Sequence, residues 1–477
     1  MFRVILDKEI RNHLLSFRFL AVLVLLVAIV PATVMILTTD AVRKQDDYSR
    51  RQAEVQTYLR SYAHFNRLFA VIAPAQPPIP LLALVRGLTA DVDLDVFDND
   101  PLPVMFPLID LTFIVTILLS LAALVFAYDA ASGDKEDGTL KLTLANGVSR
   151  STVLAAKLLG GLITLFVPFA LSVALGLVVI LLNPRIGWSG ADWGALGLLL
   201  AGAAVYLAVF YGLGLLVSTR HASSASSILT SLVIWVLLVL VVPNLSPYVA
   251  ELIAPAPSRI RIGREVDRLT DIERDNLGRK LSADKRAAVI AANPVLSGVE
   301  RMSEAEVKAA IAHDPAFAAA YETFRKESEG AWREANVIQG EKADVLRAEL
   351  RLKEAAQTRL ALDLSLVSPL AGFTYLATDL TSTGMLNQSH FADLVRAWVR
   401  QYSEYSQKKM AEMRAADPTV DLWNTVVDVS DMPRFAYKEA ALGDRIKGAL
   451  KPFLVLCGYG LVFFAAAYVS FIRYDVR

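Results

Sequence analysis

The chain of 477 residues is 55% hydrophobic and balances 48 Lys and Arg against 48 Asp and Glu. A mean hydropathy of +0.44 lies above that of soluble globular chains and points to runs long enough to enter a bilayer; the zero net charge leaves no basic footprint for nucleic acid. The single cysteine, Cys457, excludes an intrachain disulfide.

In chain order, residues 1–18 place Phe2, Ile5, Leu6, Ile10, Leu14 and Phe17 at helical spacing with Lys and Arg between them. This predicts an amphipathic helix in the membrane interface. No small-residue cleavage site follows, so the next apolar run is expected to stay attached as a first span over 19–38, with Pro31 kinking it. Residues 39–105 form an extracytoplasmic segment, helical over 41–73 with Tyr48, Val55, Tyr58 and Leu59 on one face, then broken by APAQPPIP. The acidic stretch at 91–100 lacks the Gly and bidentate Glu of a calcium loop and reads as a solvated turn.

Further spans are expected at 106–127, 154–182, 193–217, 226–246 and 452–472, which with the first makes six. Asp110 reads as interfacial, and Trp188 and Trp193 suit a headgroup belt. Lys and Arg concentrate in the N-terminal helix, the 128–153 loop, Arg220 and the C-terminus, which puts both termini in the cytosol.

The 128–153 loop is no plain connector. Asp129, Asp134, Lys135 and Glu136 leave the second span, Gly138 offers a tight turn, and Thr139 starts a short helix bearing Leu140, Leu142 and Leu144. Asn146-Gly147 ends that helix. Ser149 and Arg150 open the third span, with Lys157 one to two turns inside.

Read as Asp134-Lys135-Glu136-Asp137-Gly138-Thr139-Leu140, then Val148-Ser149-Arg150, then Lys157, this stretch of about thirty residues resembles the cytoplasmic loop of type-2 ABC exporter permeases. More narrowly it resembles the group named for multi-copper enzyme maturation. The N-terminal interfacial helix is similar to one found in such permeases. The resemblance implies a coupling element docked on a separate cytosolic ATPase, with Asp134, Lys135, Glu136, Gly138, Thr139, Leu140, Leu142, Ser149, Arg150 and Lys157 as its residues. It also implies that ATP is bound by the partner subunit. No Gly-x-x-x-x-Gly-Lys-Ser/Thr stretch exists here, so no cofactor is expected on this chain. The histidines at 13, 64, 221, 313 and 390 show no i,i+4 pairing, which argues against zinc or copper and weakens the copper implication of the group's name.

Residues 248–450 read as one large helical extracytoplasmic domain, rich in Ala, Glu, Lys and Arg. Ser282, Ser297 and Ser303 read as hydroxyl-led helix starts, the last two with Glu at the capping-box position. Gly330 and Gly340 are possible interruptions of a helix over 314–364. Phe317, Tyr321, Phe324, Trp332 and Val337 form one stripe; Phe391, Leu394, Trp398, Tyr402 and Tyr405 form another. Both read as helix-packing core. The stretch at 366–384 breaks the charged pattern and is similar to an element of long-insertion permeases, expected at the membrane surface.

The expected fold class is thus an all-α membrane protein of six spans with an interfacial helix and a helical insertion. The expected function is the permease subunit of an ATP-driven exporter in the cytoplasmic (inner) membrane. Its partners would be the ATPase, a second permease chain, membrane lipids and an envelope protein bound by the insertion, but no nucleic acid. The alternative is a membrane-anchored structural or signalling protein whose helical domain binds an envelope partner. An enzyme lacks any catalytic constellation in the sequence.

Overall fold

A computed structural model describes residues 2–61, 63–88, 109–145, 147–416, 421 and 425–473. The 91–100 acidic stretch, the first residues of the 106–127 span, Asn146 and the C-terminal Tyr474 and Arg477 lie outside the described residues. Among the described residues there are helices and no strands. Six helices are long and apolar enough to cross a membrane, matching the six expected.

The helices are α1 (Phe2–Leu14), α2 (Phe17–Ser61), α3 (Phe65–Val71) and α4, which runs as Leu111–Phe113, a π-wound Ile114–Leu119 and Ser120–Ala127. Two short helices follow, α5 (Ser132–Glu136) and α6 (Thr139–Ala145). Next come α7 (Arg150–Leu181), α8 (Gly190–Arg220) and α9, composed of Ser224–Trp235, a π-wound Val236–Val241 and Val242–Ile253.

Contacts divide the chain into two units, 1–243 with 365–477, and 244–364. The first is organised around α8. This helix is apolar on every side, the pattern of a helix surrounded by others, and it packs against α4, α7, α9 and the later α13 (Pro369–Leu380) and α15 (Leu442–Ile472). Tyr206, Phe210 and Tyr211 lie fully buried along it. Glycines permit close approach: a Cβ at Gly161 would stand 2.0 Å from the Tyr211 ring, and one at Gly202 would stand 2.6 Å from Leu376 of α13. Trp235 of α9 donates to Ser120 Oγ of α4 at 2.9 Å, beside the π-wound turns of both helices.

The stretch at 366–384 takes a place the sequence did not suggest. Its helix α13 starts with Ser368 as N-cap and Pro369 at its first turn. It buries Phe373, Leu376, Ala377 and Leu380 in the same core as the spans. The 248–450 block is therefore divided: residues from 365 onward pack with the spans, and the second unit stops at 364. From there α14 (Met385–Ala416) runs back, and its Trp398 and Tyr402 share a core with Leu59, Phe65 and Leu68 from the end of α2 and from α3. Trp398, Tyr402 and Tyr405 of the second stripe thus pack in this core as expected, Phe391 lies against Phe435 and Tyr437, and Leu394 is half-buried outside it.

The second unit comprises α10 (Arg259–Asp267, a π-wound Arg268–Glu273 and Arg274–Ala292), α11 (Glu304–His313) and α12 (Pro315–Ser365), whose last residue falls to the first unit. Ser303 and Glu306 form the capping box. Ser297 precedes only a 3-10 turn led by Gly298, and Ser282 lies inside α10, bonded to Ser328 at 2.7 Å, so neither starts a helix. Gly330 and Gly340 do not interrupt α12, since each costs about 1 kcal/mol relative to Ala without forbidding helical angles. Phe317, Tyr321 and Phe324 are packed in core, Trp332 lies over Gly278, but Val337 is exposed and leaves the stripe.

Two buried ion clusters mark the ends of α8. At its start, Ser189 and Asp192 close a capping box, and Arg445 of α15 lies between Asp192 (3.8 Å) and Glu439 (2.5 Å). The other cluster belongs to the loop after α4.

Candidate functional site: the loop between α4 and α7

The loop turns at two glycines with left-handed backbone, Gly138 at φ +69 and Gly147 at φ +74. Gly138 ends α5 and lets α6 start at Thr139, whose hydroxyl donates to Asp134 Oδ1 at 3.0 Å. Ser149 caps α7, accepting from the Thr152 amide at 3.2 Å. These are the breaks and starts that the sequence predicts.

The charged residues do something different from what their pattern suggests. Lys157 is only 4% exposed and holds two carboxylates, Asp134 at 2.7 Å and Glu9 at 3.0 Å. One ammonium thereby fastens α1, α5 and α7 together. Lys157 and Glu9 are buried and Asp134 partly so, which is tolerated because each finds an oppositely charged partner. Gly160 makes room for this: a Cβ there would stand 3.0 Å from that of Glu9. His13 lies one turn further along α1, 3.5 Å from the Tyr211 hydroxyl. Burial holds its pKa below the ordinary histidine value, against the opposing pull of Glu9.

Lys135 donates to the carbonyls of Thr219 (2.6 Å) and His221 (3.0 Å), placing a cation on the C-terminal end of α8. Glu136 accepts from the Ser224 amide (3.1 Å) and hydroxyl (2.6 Å), placing an anion at the start of α9. Ser218 Oγ accepts from the amides of Ala131 (2.9 Å) and Ser132 (3.0 Å), and Ser227 donates to the Tyr128 carbonyl at 2.7 Å. Helix α5 is thus stitched to the α8–α9 turn by both charge and hydroxyls. Arg150 reaches the last carbonyls of α15, those of Phe471 (2.8 Å) and Ile472. On the other side, Arg18 at the head of α2 pairs with Asp129 at 2.8 Å and donates to the Tyr128 hydroxyl at 2.9 Å.

Of the apolar residues, Leu140 points inward, 1% exposed, into a cluster with Val153, Leu154, Leu215 and Phe471. Leu142 points outward, 68% exposed. Glu136, Arg150 and Leu140 therefore serve this chain's own packing, and α6 presents Leu142 to the outside. The sequence reading missed Glu9, Arg18, Gly160, Gly161 and Tyr211. Two signals were available: Glu9 interrupts the apolar stripe of α1 between Leu6 and His13, and Gly160-Gly161 stands as a pair inside an apolar helix.

Mechanically, the loop is a small projecting helix whose base is bonded to α1, α7, α8, α9 and α15.

The family description "ABC-2 family transporter protein" matches residues 3–476. The chain belongs to that family and is a multi-pass transmembrane subunit of an ABC transporter. It is similar to "Probable ABC transporter permease protein NosY" of Pseudomonas aeruginosa, 32% identical over 131 residues. The match covers 27% of this chain and about half, 47%, of that relative's length.

Proposed function

We propose that this chain is the permease subunit of an ATP-driven exporter, and that a separate cytosolic ABC ATPase docks on α6. The observation carrying this reading is the contrast between Leu142 and the rest of the loop. Asp134, Lys135, Glu136, Arg150 and Lys157 bond to this chain's own helices, whereas the Leu142 side chain on α6 is 68% exposed. Exposed apolar side chains on a rigid support suit an interface anchor. Two permease chains are required to enclose a path, because six spans are few for one. The chain sits in the cytoplasmic membrane with both termini and the α5–α6 loop in the cytosol and 248–450 largely outside, in keeping with where Lys and Arg fall in the short segments.

The test is capture of the ATPase by membrane-inserted variants. Leu142→Asp abolishes capture, because a carboxylate carried into an apolar groove meets a desolvation cost of a few kcal/mol. Leu360→Asp, in α12, leaves capture unchanged. Wild-type capture by Leu142→Asp overturns the docking site. In a Cys457→Ala background, a cysteine at 137 is shielded from an impermeant thiol reagent in intact cells and one at 330 reacts; the reverse pattern overturns the orientation.

A further inference from the structure

The end of α2, α3, α14 and residues 427–435 share a core of their own, with Leu59, Phe65, Leu68, Trp398 and Met432 at its centre. Against this core, α2, the proline-rich stretch after α3 and residues 432–435 border an open groove of about 170 Å³. Its floor is aromatic. The rings of Trp398 and Phe435 stand edge to face, 6.2 Å apart. Trp398 is locked in place by its Nε1 donating to the Pro433 carbonyl at 3.0 Å.

Its rim is cationic. Arg51 stands on one side and Arg434 on the other, both exposed, and no Asp or Glu lines the groove. No ion pair among the described residues involves either arginine. Gln52 and Gln56 of α2 add amide donors and acceptors beside Arg51. Residues 73–75, 434 and 435, which border the groove, make no backbone–backbone hydrogen bond among the described residues.

We propose that this groove binds an acidic peptide segment of a partner protein. Its carboxylates meet Arg51 and Arg434 in charge-assisted hydrogen bonds. An apolar side chain lies on Trp398 and Phe435. Its main-chain amides are met by Gln52, Gln56 and the open backbone along the walls. A lipid acyl chain fits less well, because it would cover the two glutamines and that backbone without bonding them. The site shares no residue with the α5–α6 loop, so it stands or falls independently of ATPase docking.

The experiment uses the full chain in nanodiscs of uncharged lipid and two fluorescein-labelled hexapeptides, one alternating Leu and Glu, the other Leu and Lys. The acidic peptide gives saturable anisotropy and the basic peptide does not. Arg51→Glu with Arg434→Glu, two exposed positions whose change leaves the fold intact by circular dichroism, weakens the acidic peptide by about tenfold or more and admits the basic one. Raising ionic strength from about 0.05 M to about 0.5 M weakens wild-type binding, as screening requires. Equal binding of both peptides, or an affinity unchanged in the double variant, overturns the proposal. So does a wild-type groove that ignores the acidic peptide but takes phosphatidylglycerol from vesicles through the same arginines, since the occupant is then a lipid.

Discussion

The two buried ion clusters at the ends of α8 use the same chemistry and reach different degrees of completion. At the loop end, Lys157 lies within hydrogen-bonding distance of both its acids, at 2.7 and 3.0 Å. At the other end, Arg445 stands 3.8 Å from Asp192 and 2.5 Å from Glu439, and is well aligned with neither. Asp192 Oδ1, Glu439 Oε1 and one Arg445 nitrogen are buried without a hydrogen bond among the described residues. Its Nε donates to the Ala440 carbonyl at 3.0 Å. A satisfied buried cation fixes the helices around it. An incompletely satisfied one holds groups that gain by rearranging. The loop end of the bundle is pinned, and the far end keeps slack.

That contrast can be broken by deleting each cation. Lys157→Ala strands Glu9 and Asp134 with no counter-charge, and is expected to cost about 3–5 kcal/mol, read as a large drop in the thermal unfolding midpoint in detergent. The same variant should expose α1 to limited proteolysis. Arg445→Ala removes fewer well-formed bonds, and is expected to cost about 1–3 kcal/mol. If Arg445→Ala proves as damaging as Lys157→Ala, the difference in completion has no energetic meaning.

Acidity sharpens the comparison. Near the slack end, burial pushes Asp379 up to about 6 and also raises Glu439. A carboxyl whose pKa is higher folded than unfolded binds its proton more tightly in the folded state. Its cost is therefore present in full above the folded value and is relieved as pH falls through about 6 toward the ordinary 3.8. Asp379→Asn should raise stability at pH 7.5 by about 1–2 kcal/mol and change little at pH 4. A constant gain at both pH values would assign the effect to packing instead. The smallest effect is expected in the second unit, where Lys285 pairs with Glu334 at 2.9 Å with both side chains substantially exposed. Lys285→Ala should shift stability by no more than about 0.5 kcal/mol, and a larger loss there would show that exposure does not separate the two kinds of pair.

The spans were legible because about twenty apolar residues in sequence leave few alternatives, and the helix ends because Ser149, Ser303 and Gly138 carry their own local chemistry. Helix α13 was not legible as core. Its run of twelve residues, Pro369–Leu380, is too short to read as a span and is broken by Gly and Thr. Its burial depends on α8, about 170 positions earlier in sequence. The loop's boundaries could be read, but the destinations of its charges could not. Glu9 and Lys157 are 148 positions apart, and no local pattern announces such a pair. An alternation of charges at a membrane surface looks the same whether it faces a partner or the chain's own helix ends.

Helix α2 has a length worth converting to distance. Its 45 residues stay helical through Pro31, and at 1.5 Å per residue they make a beam of roughly 68 Å, more than twice the ~30 Å thickness of a hydrocarbon core. The head of this beam is clamped by Arg18 to Tyr128 and Asp129, at the root of the loop. Its far part supplies Arg51, Gln52 and Gln56 to the groove. A tilt of only about 5° about the clamped head carries the far end by about 6 Å, more than one turn of helix. One continuous helix thus joins the root of the loop to the groove, with no break along its 45 residues at which a movement of one end could be lost before the other.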